Sequence, residues 1–253
     1  MKKTISVGLL SGGIDSSVAA TICKNRGDEL YLLSINYDQV MQRELRSTQA
    51  LAQHIGAKEH RTIVIHGFKE ISHSARTHEA LIEYNRPGAL AQGYVPSAYP
   101  PGRDFTFISM GAAWAETLVL AVPERYDTAK IIIGTNFTDS LDYPDCQKDV
   151  YEMFTALLNS SLKMSRVLGK RIEVEAPLID LTKQQVIALA HKLRVPLELT
   201  WSCYSGRDKA CGRCDACRIR FFGFENSGLH DPVEYETTDI SPLDVGEPAS
   251  VRV

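Results

Sequence analysis

Two groups of residues in this chain carry recognisable chemistry. The first is Ser11-Gly12-Gly13-Ile14-Asp15-Ser16-Ser17, set between the apolar run Ile5-Ser6-Val7-Gly8-Leu9-Leu10 and the helix-forming Val18-Ala19-Ala20-Thr21-Ile22. A strand, a glycine-rich turn and a helix N-terminus, in that order, aim backbone N–H groups and the helix dipole at a phosphate chain. The glycines let the backbone turn sharply and approach an anion with no Cβ in the way, and the hydroxyls of Ser11, Ser16 and Ser17 add donors. No lysine follows the glycines, so the Walker pattern is absent, as is the GxGxxG spacing of dinucleotide folds.

The second group is Cys203, Cys211, Cys214 and Cys217. Four thiolates fill the tetrahedral shell of zinc and leave no open position, which makes the metal structural. Gly212 supports the tight turn of a CxxC knuckle. A CxxCxxC run also serves iron–sulfur clusters, but no proline follows Cys217, and the seven-residue gap after Cys203 is foreign to the ferredoxin run. Cys23 reads as a small core residue on an apolar helix, and for Cys146 a structural role is favoured over a reactive thiol.

These groups need a scaffold, and the 253 residues suffice for one sizeable domain with a small appendage. The chain is 44% hydrophobic and 23% charged with a formal charge of -3, which argues against a protein held by nucleic-acid phosphates. Met1-Lys2-Lys3-Thr4 and its short apolar sequel, broken by Ser11-Gly12-Gly13 and Asp15, read as a first strand and not as a signal peptide. No stretch approaches membrane-spanning length. The expected compartment is the cytoplasm, where the six cysteines are ligands or buried thiols.

Strand and helix signals alternate, predicting an α/β fold with a parallel sheet. Strands are expected at 30–37, 62–65, 130–134 and 172–178; helices at 42–55 (ended by Gly56), 105–120, 151–168 and 183–193. Thr182 and Gln185 form a capping box for the last of these. Pro87-Gly88, Pro96 and Pro100-Pro101-Gly102 break residues 67–103 into loops of a length that commonly faces substrate. From about Glu225 onward the Asp-, Glu-, Pro- and Ser-rich sequence predicts a poorly packed acidic tail. The expected organisation is an α/β domain over 1–200, a four-cysteine region over 201–224 and the tail over 225–253.

The SGGxDS loop resembles that of the ATP pyrophosphatase (PP-loop) superfamily. Together with Pro100-Pro101-Gly102-Arg103, Tyr143-Pro144-Asp145-Cys146, Pro177-Leu178, Leu181-Thr182-Lys183, Thr200-Trp201-Ser202-Cys203-Tyr204 and the Cys-x7-Cys-x2-Cys-x2-Cys run, it resembles the QueC family over residues 5 to about 235. The resemblance implies a PP-loop sheet with a zinc-bearing C-terminal region, often as a homodimer. It also implies ATP-dependent conversion of 7-carboxy-7-deazaguanine and ammonia to the 7-cyano compound, with ATP, Mg²⁺ and Zn²⁺ as cofactors and no membrane or nucleic-acid partner. On this footing Leu10, Ser11, Gly12, Gly13, Ile14, Asp15, Ser16 and Ser17 contact ATP, with Asp15 as the Mg²⁺ partner. Arg103 and Lys183 are the cations beside phosphate or substrate carboxylate, the competing reading being a solvated surface charge. Tyr37, Gln39, Asp139 and Asp145 face the substrate, helix capping being the competing reading for the two aspartates.

The chain departs from the family pattern at several positions. Where the family carries Tyr-Gly-Gln-Arg-His it has Tyr37-Asp38-Gln39-Val40-Met41. The expected Asn after Arg103 is Asp104, a Gly before Tyr143 is Asp142, and an Arg after Cys146 is Gln147. Arg43 is a candidate spatial substitute for the missing cations. The changes spare the loop and the cysteines, so carboxylate adenylation is expected to stand. Three alternatives accompany the leading expectation: a related enzyme that stops at an amide or joins the carboxylate to another amine, a protein amine included; a tRNA-thiolating enzyme using Cys146; and a zinc-stapled nucleotide-binding module.

Overall fold

The computed structural model describes residues 3–85, 95–237 and 239–243. Pro87-Gly88 and the end of the acidic tail lie outside the described residues, as does the side chain of Asp142. Five strands, β1 (Lys3–Leu9), β2 (Glu29–Asn36), β3 (Glu59–Val64), β4 (Tyr126–Ile132) and β5 (Arg171–Glu175), form one sheet in the order β3-β2-β1-β4-β5. Every pairing is parallel. The helices are α1 (Ile14–Asn25), α2 (Gln42–Ile55), α3 (Phe68–Ile71), α4 (Arg103–Ala121), α5 (Phe137–Asp142), α6 (Lys148–Ser161), α7 (Lys163–Arg166), α8 (Lys183–Lys192) and α9 (Asp215–Ser227).

The alternation of side chains along a strand divides the core in two. Ile5, Val7, Leu33, Ile35, Ala129 and Ile131 pack with Ile108, Ala112 and Ala115 of α4, while Leu30, Leu32 and Ile132 pack with Val18 and Ala19 of α1 and Val186 and Ile187 of α8. With both faces covered, the central strands read as nearly continuous apolar runs. The strand order reverses between β1 and β4. In open parallel sheets that reversal opens a crevice at the carboxyl ends of the two strands, and both the Ser11 loop and the segment after β4 emerge there.

The expected helix over 151–168 is two pieces. Leu162 is extended at φ -78° and ψ 143° between α6 and α7. Ser160 and Ser161 donate their hydroxyls to Leu157 O, and Asn159 turns aside to pair with Ile172, donating to its carbonyl at 2.6 Å and accepting from its N–H at 3.1 Å. Such side-chain bonds compete with the helical ladder. β5 stops at Glu175, short of the expected Leu178, because Pro177 lacks the N–H to continue it.

The stretch after Glu225 is mostly exposed or half-buried where it is described, but it is pinned at several points. α9 runs to Ser227, Ala210 bridges Tyr235, and Ile240 is buried. Arg220, almost wholly buried, places Nε and Nη2 at 2.8 and 2.9 Å from the two oxygens of Asp231, while Tyr235 donates to Asp231 at 2.6 Å. A bidentate pair of this kind holds a polar segment where apolar burial is scarce. Composition alone concealed it.

Candidate active site

The loop after β1 is built by its own serines. Ser16 Oγ accepts from Ser11 N at 3.2 Å and donates to Gly13 O at 3.2 Å; Ser17 Oγ donates to Gly13 O at 2.8 Å. Gly12 sits at φ +98°, and a Cβ there would lie 2.0 Å from Glu44 O. From β4, Gly134 closes against the first turn of α1, where a Cβ would stand 2.6 Å from Ser16 N and 2.8 Å from Ser16 Cα. The first turn of α1 thus presents its unsatisfied N–H groups to the crevice at a position fixed from both strands.

One cleft opens from this loop. Leu10, Ser11, Gly13, Ile14, Asp15 and Ser16 line it, whereas Gly12 and Ser17 lie behind and shape the loop. Tyr37, Gln39, Arg103, Asp139 and Lys183 also line it, so candidates spread over 170 residues of sequence converge on one place. Tyr37 packs edge-on against Phe68 at 5.6 Å and beside Phe107 at 5.3 Å, and its backbone N–H is held by Gln39 Oε1 at 3.0 Å. Asp139 completes a capping box with Asn136 at the start of α5, accepting from Asn136 N at 3.1 Å, and still faces the cleft. Lys183, the first residue of α8, donates to both oxygens of Asp15 at 2.7 and 2.6 Å. Burial, with the adjacent Asp15 carboxylate, pushes the Asp139 carboxyl up to about 6 against the pull of Lys183.

Asp145 is the exception among the named substrate residues: it does not line the cleft. The turn from Tyr143 to Cys146, closed by Cys146 N donating to Tyr143 O at 3.1 Å, directs it into a buried cluster with Asp104 and Cys146. Arg103 Nε donates to Asp104 Oδ1 at 2.7 Å, and Cys146 Sγ donates to Asp104 Oδ2 at 3.5 Å. One guanidinium cannot balance two buried carboxylates, and burial together with Asp104 pushes the Asp145 carboxyl up to about 6. Burial, then Asp104 and Asp139, raise the Cys146 thiol well above its ordinary range. That is the reverse of what a nucleophilic cysteine needs.

Arg43 does not replace the missing cations. Its guanidinium stacks 4.0 Å from the Trp201 ring centroid and donates to Asp208 O, outside the cleft. Among the described residues, the cations on the cleft wall are Arg76, Arg103 and Lys183, with the carboxylates of Asp15, Glu44, Asp104 and Asp139 lining the same cleft. Arg76 and Glu44 escaped the sequence reading, since neither belongs to a motif. Burial raises the Glu44 carboxyl, with Arg76 and a hydrogen bond from Ser11 acting against it.

The four cysteines are buried, unpaired in disulfides and close enough for one ligand atom of each to lie within 4.8 Å of the others. Backbone N–H groups of Arg213 and Cys214 point at Cys211 Sγ at 3.5 and 3.4 Å, and that of Cys211 at Cys203 Sγ at 3.3 Å. Donors aimed at sulfur stabilise thiolates, so the set fits a tetrahedral metal such as zinc. This region touches the loop directly: Trp201 N donates to Gly12 O at 3.1 Å. Among the described residues no helix is long and apolar enough to cross a membrane.

A QueC family profile, described as "Queuosine biosynthesis protein QueC", matches residues 5–228. The 7-cyano-7-deazaguanine synthase of Oceanobacillus iheyensis is 35% identical over 230 residues, covering 91% of this chain and 97% of its own. The 7-cyano-7-deazaguanine synthase 2 of Desulfitobacterium hafniense is 37% identical over 235 residues, 93% and 94% of the two chains, and the 7-cyano-7-deazaguanine synthase of an Azoarcus species is 38% identical over 233 residues, 91% and 96%.

Proposed function

The chain belongs to the QueC family, and on that premise we infer that it is an ATP-dependent ligase making 7-cyano-7-deazaguanine from 7-carboxy-7-deazaguanine and ammonia. The supporting observation is the single cleft in which the Ser11–Ser16 loop, the aromatic wall of Tyr37 and Tyr143, and the carboxylates Asp15 and Asp139 meet. A nucleotide and a flat heterocycle placed there would have their reacting groups side by side.

In this reading a substrate carboxylate oxygen attacks the α-phosphorus of ATP and pyrophosphate leaves, giving an acyl-adenylate. Ammonia attacks the acyl carbon, AMP leaves with the C–O bond, and loss of a proton gives the amide. The amide oxygen attacks a second ATP in the same way, and loss of AMP and the two N–H protons gives the nitrile. The chain's contribution is placement and charge: the loop N–H groups receive the phosphates, and Lys183 stands beside the departing pyrophosphate. Burial, and then the Asp15 carboxylate, raise the Asp139 carboxyl, and Asp15 and Asp139 are the carboxylates that would hold Mg²⁺. When bound, that ion supplies positive charge to the phosphate oxygens. Cys203, Cys211, Cys214 and Cys217 would hold Zn²⁺ as a structural staple. The reading includes a cytoplasmic homodimer, on the family resemblance alone.

A second reading is favoured by Asp104, whose carboxylate takes the Nε of Arg103 where the family pattern has a neutral Asn. It leaves carboxylate activation in place and ends at an amide or a conjugate with another amine. Incubation with 7-carboxy-7-deazaguanine, ATP, Mg²⁺ and ammonium, followed by product mass, decides between them. Nitrile supports the first reading, and amide without nitrile refutes its last step.

A further inference from the structure

Among the described residues Arg76 is the cleft cation whose guanidinium makes no side-chain hydrogen bond, although its charge reaches the buried Glu44 carboxyl. Lys183 gives both its contacts to Asp15, and Arg103 gives its Nε to Asp104. Arg76 lines the same cleft, yet its Nε is shut off from solvent without a hydrogen-bond partner. Its guanidinium lies 5.0 Å from the Tyr204 ring centroid, with Tyr143 and Tyr37 among its electrostatic neighbours. A buried N–H donor left without a partner is unfavourable, and an anion presented there would satisfy it.

The loop that carries Arg76 is tied down by its own hydrogen bonds. Ser72, Ser74, Ala75 and Thr77 are buried, and Thr77 Oγ1 accepts from Ser74 N at 3.0 Å and donates to Ser72 O at 2.9 Å. Arg76 N donates to Ser74 Oγ at 3.3 Å, and Arg76 O accepts from Val40 N at 2.8 Å. The last bond pins the loop to the turn between β2 and α2, so a guanidinium is held beside a turn that brings no cation of its own. Lys183 pairs instead with Asp15 at the start of α1.

We propose that Arg76 binds the carboxylate that the enzyme activates, holding it beside the aromatic wall while the phosphates occupy the Ser11–Ser16 loop. A guanidinium is planar and offers paired donors that match a carboxylate. The assignment rests on the function proposed above, and it makes a distinction that a structural role for Arg76 would not. The carboxylate is anionic only before the first activation; the amide that enters the second is neutral. Arg76 therefore serves the first half of the reaction and not the second.

The test compares wild type, Arg76→Ala and Arg76→Lys on two substrates, 7-carboxy-7-deazaguanine with ammonium and the synthetic 7-carboxamide, each with ATP and Mg²⁺. Arg76→Ala is expected to lose about 10- to 100-fold of kcat/KM on the carboxylate, chiefly through KM, the usual range for a hydrogen bond to a charged group. On the amide it stays within about threefold of wild type with KM for ATP unchanged, and Arg76→Lys recovers part of the loss by restoring charge without the planar pair. Equal loss on both substrates, or a loss carried by KM for ATP, overturns the assignment. Wild-type protein that converts neither compound overturns the functional reading itself and this assignment with it.

Discussion

Replacing Gly134 by alanine asks whether β4 fixes the phosphate loop. An ideal Cβ at this position lies 2.6 Å from Ser16 N, 2.8 Å from Ser16 Cα and 2.9 Å from the carbonyl carbon of Asp15, all backbone atoms that no rotamer change can move aside. Ordinary contact begins at 3.4 Å, so the first turn of α1 and the end of β4 must separate by close to 0.8 Å. Overpacking of this kind costs about 1–3 kcal/mol, which in a chain of this size lowers Tm by roughly 2–12 °C. The functional loss should be larger in proportion, because a displacement near 1 Å in a positioning element costs on the order of 10²-fold in rate. Gly111→Ala is the control: its Cβ would meet only side chains, Ile131 at 3.2 Å and Leu9 at 3.6 Å, which can give where the backbone of the loop cannot. Pyrophosphate release at varied ATP, with Tm by calorimetry, gives both readouts. If Gly134→Ala keeps kcat/KM for ATP within twofold, or loses no more than Gly111→Ala at equal Tm, the claim that this contact sets the loop is wrong.

Cys214→Ser should remove about one equivalent of zinc per chain by elemental analysis and lower Tm sharply, since structural metal sites contribute folding energy directly. Asp145 has its carboxyl raised to about 6; the folded state therefore keeps a proton that the unfolded chain has lost, and the ligand-free protein should lose stability as pH rises from about 4 to 6, the range between the free and folded values. Asp145→Asn should accordingly be the more stable protein at pH 7.5, with the Tm gap to wild type about half as large at pH 5 and closed near pH 4; a gap independent of pH would refute the raised carboxyl. Arg220→Met strands the buried Asp231 carboxylate, a loss of about 3–5 kcal/mol that should lower Tm by roughly 6–20 °C, with Asp231→Asn restoring part of it in the double variant.

Local signals were legible where the chemistry was local. The 42–55 helix ends at Gly56 in the left-handed conformation, and the Thr182–Gln185 capping box forms as the spacing predicts. The loop after β1 and the four cysteines declare themselves because each needs only a few adjacent residue types. What stayed hidden depends on contacts across the chain. Asp145 reads as a substrate residue by its place after a strand, but the Tyr143–Cys146 turn carries it behind the wall. Arg76 belongs to no motif, and only the bond to Val40 explains why a loop residue stands in the cleft. Arg43, nearer in sequence, was drawn away by the face of Trp201. The buried Arg220–Asp231 pair runs against the acidic composition that suggested a loose end.

Trp201 hands its N–H to the carbonyl of Gly12, so the cysteine knuckle and the phosphate loop share a hydrogen bond. Whatever tightens one narrows the motion of the other. By reciprocity of binding free energies, if metal in the knuckle strengthens nucleotide binding in the loop, nucleotide strengthens metal binding by the same factor. A metal held by the four cysteines would then reach beyond its own ligands, and its removal is expected to weaken ATP binding as well as lower Tm.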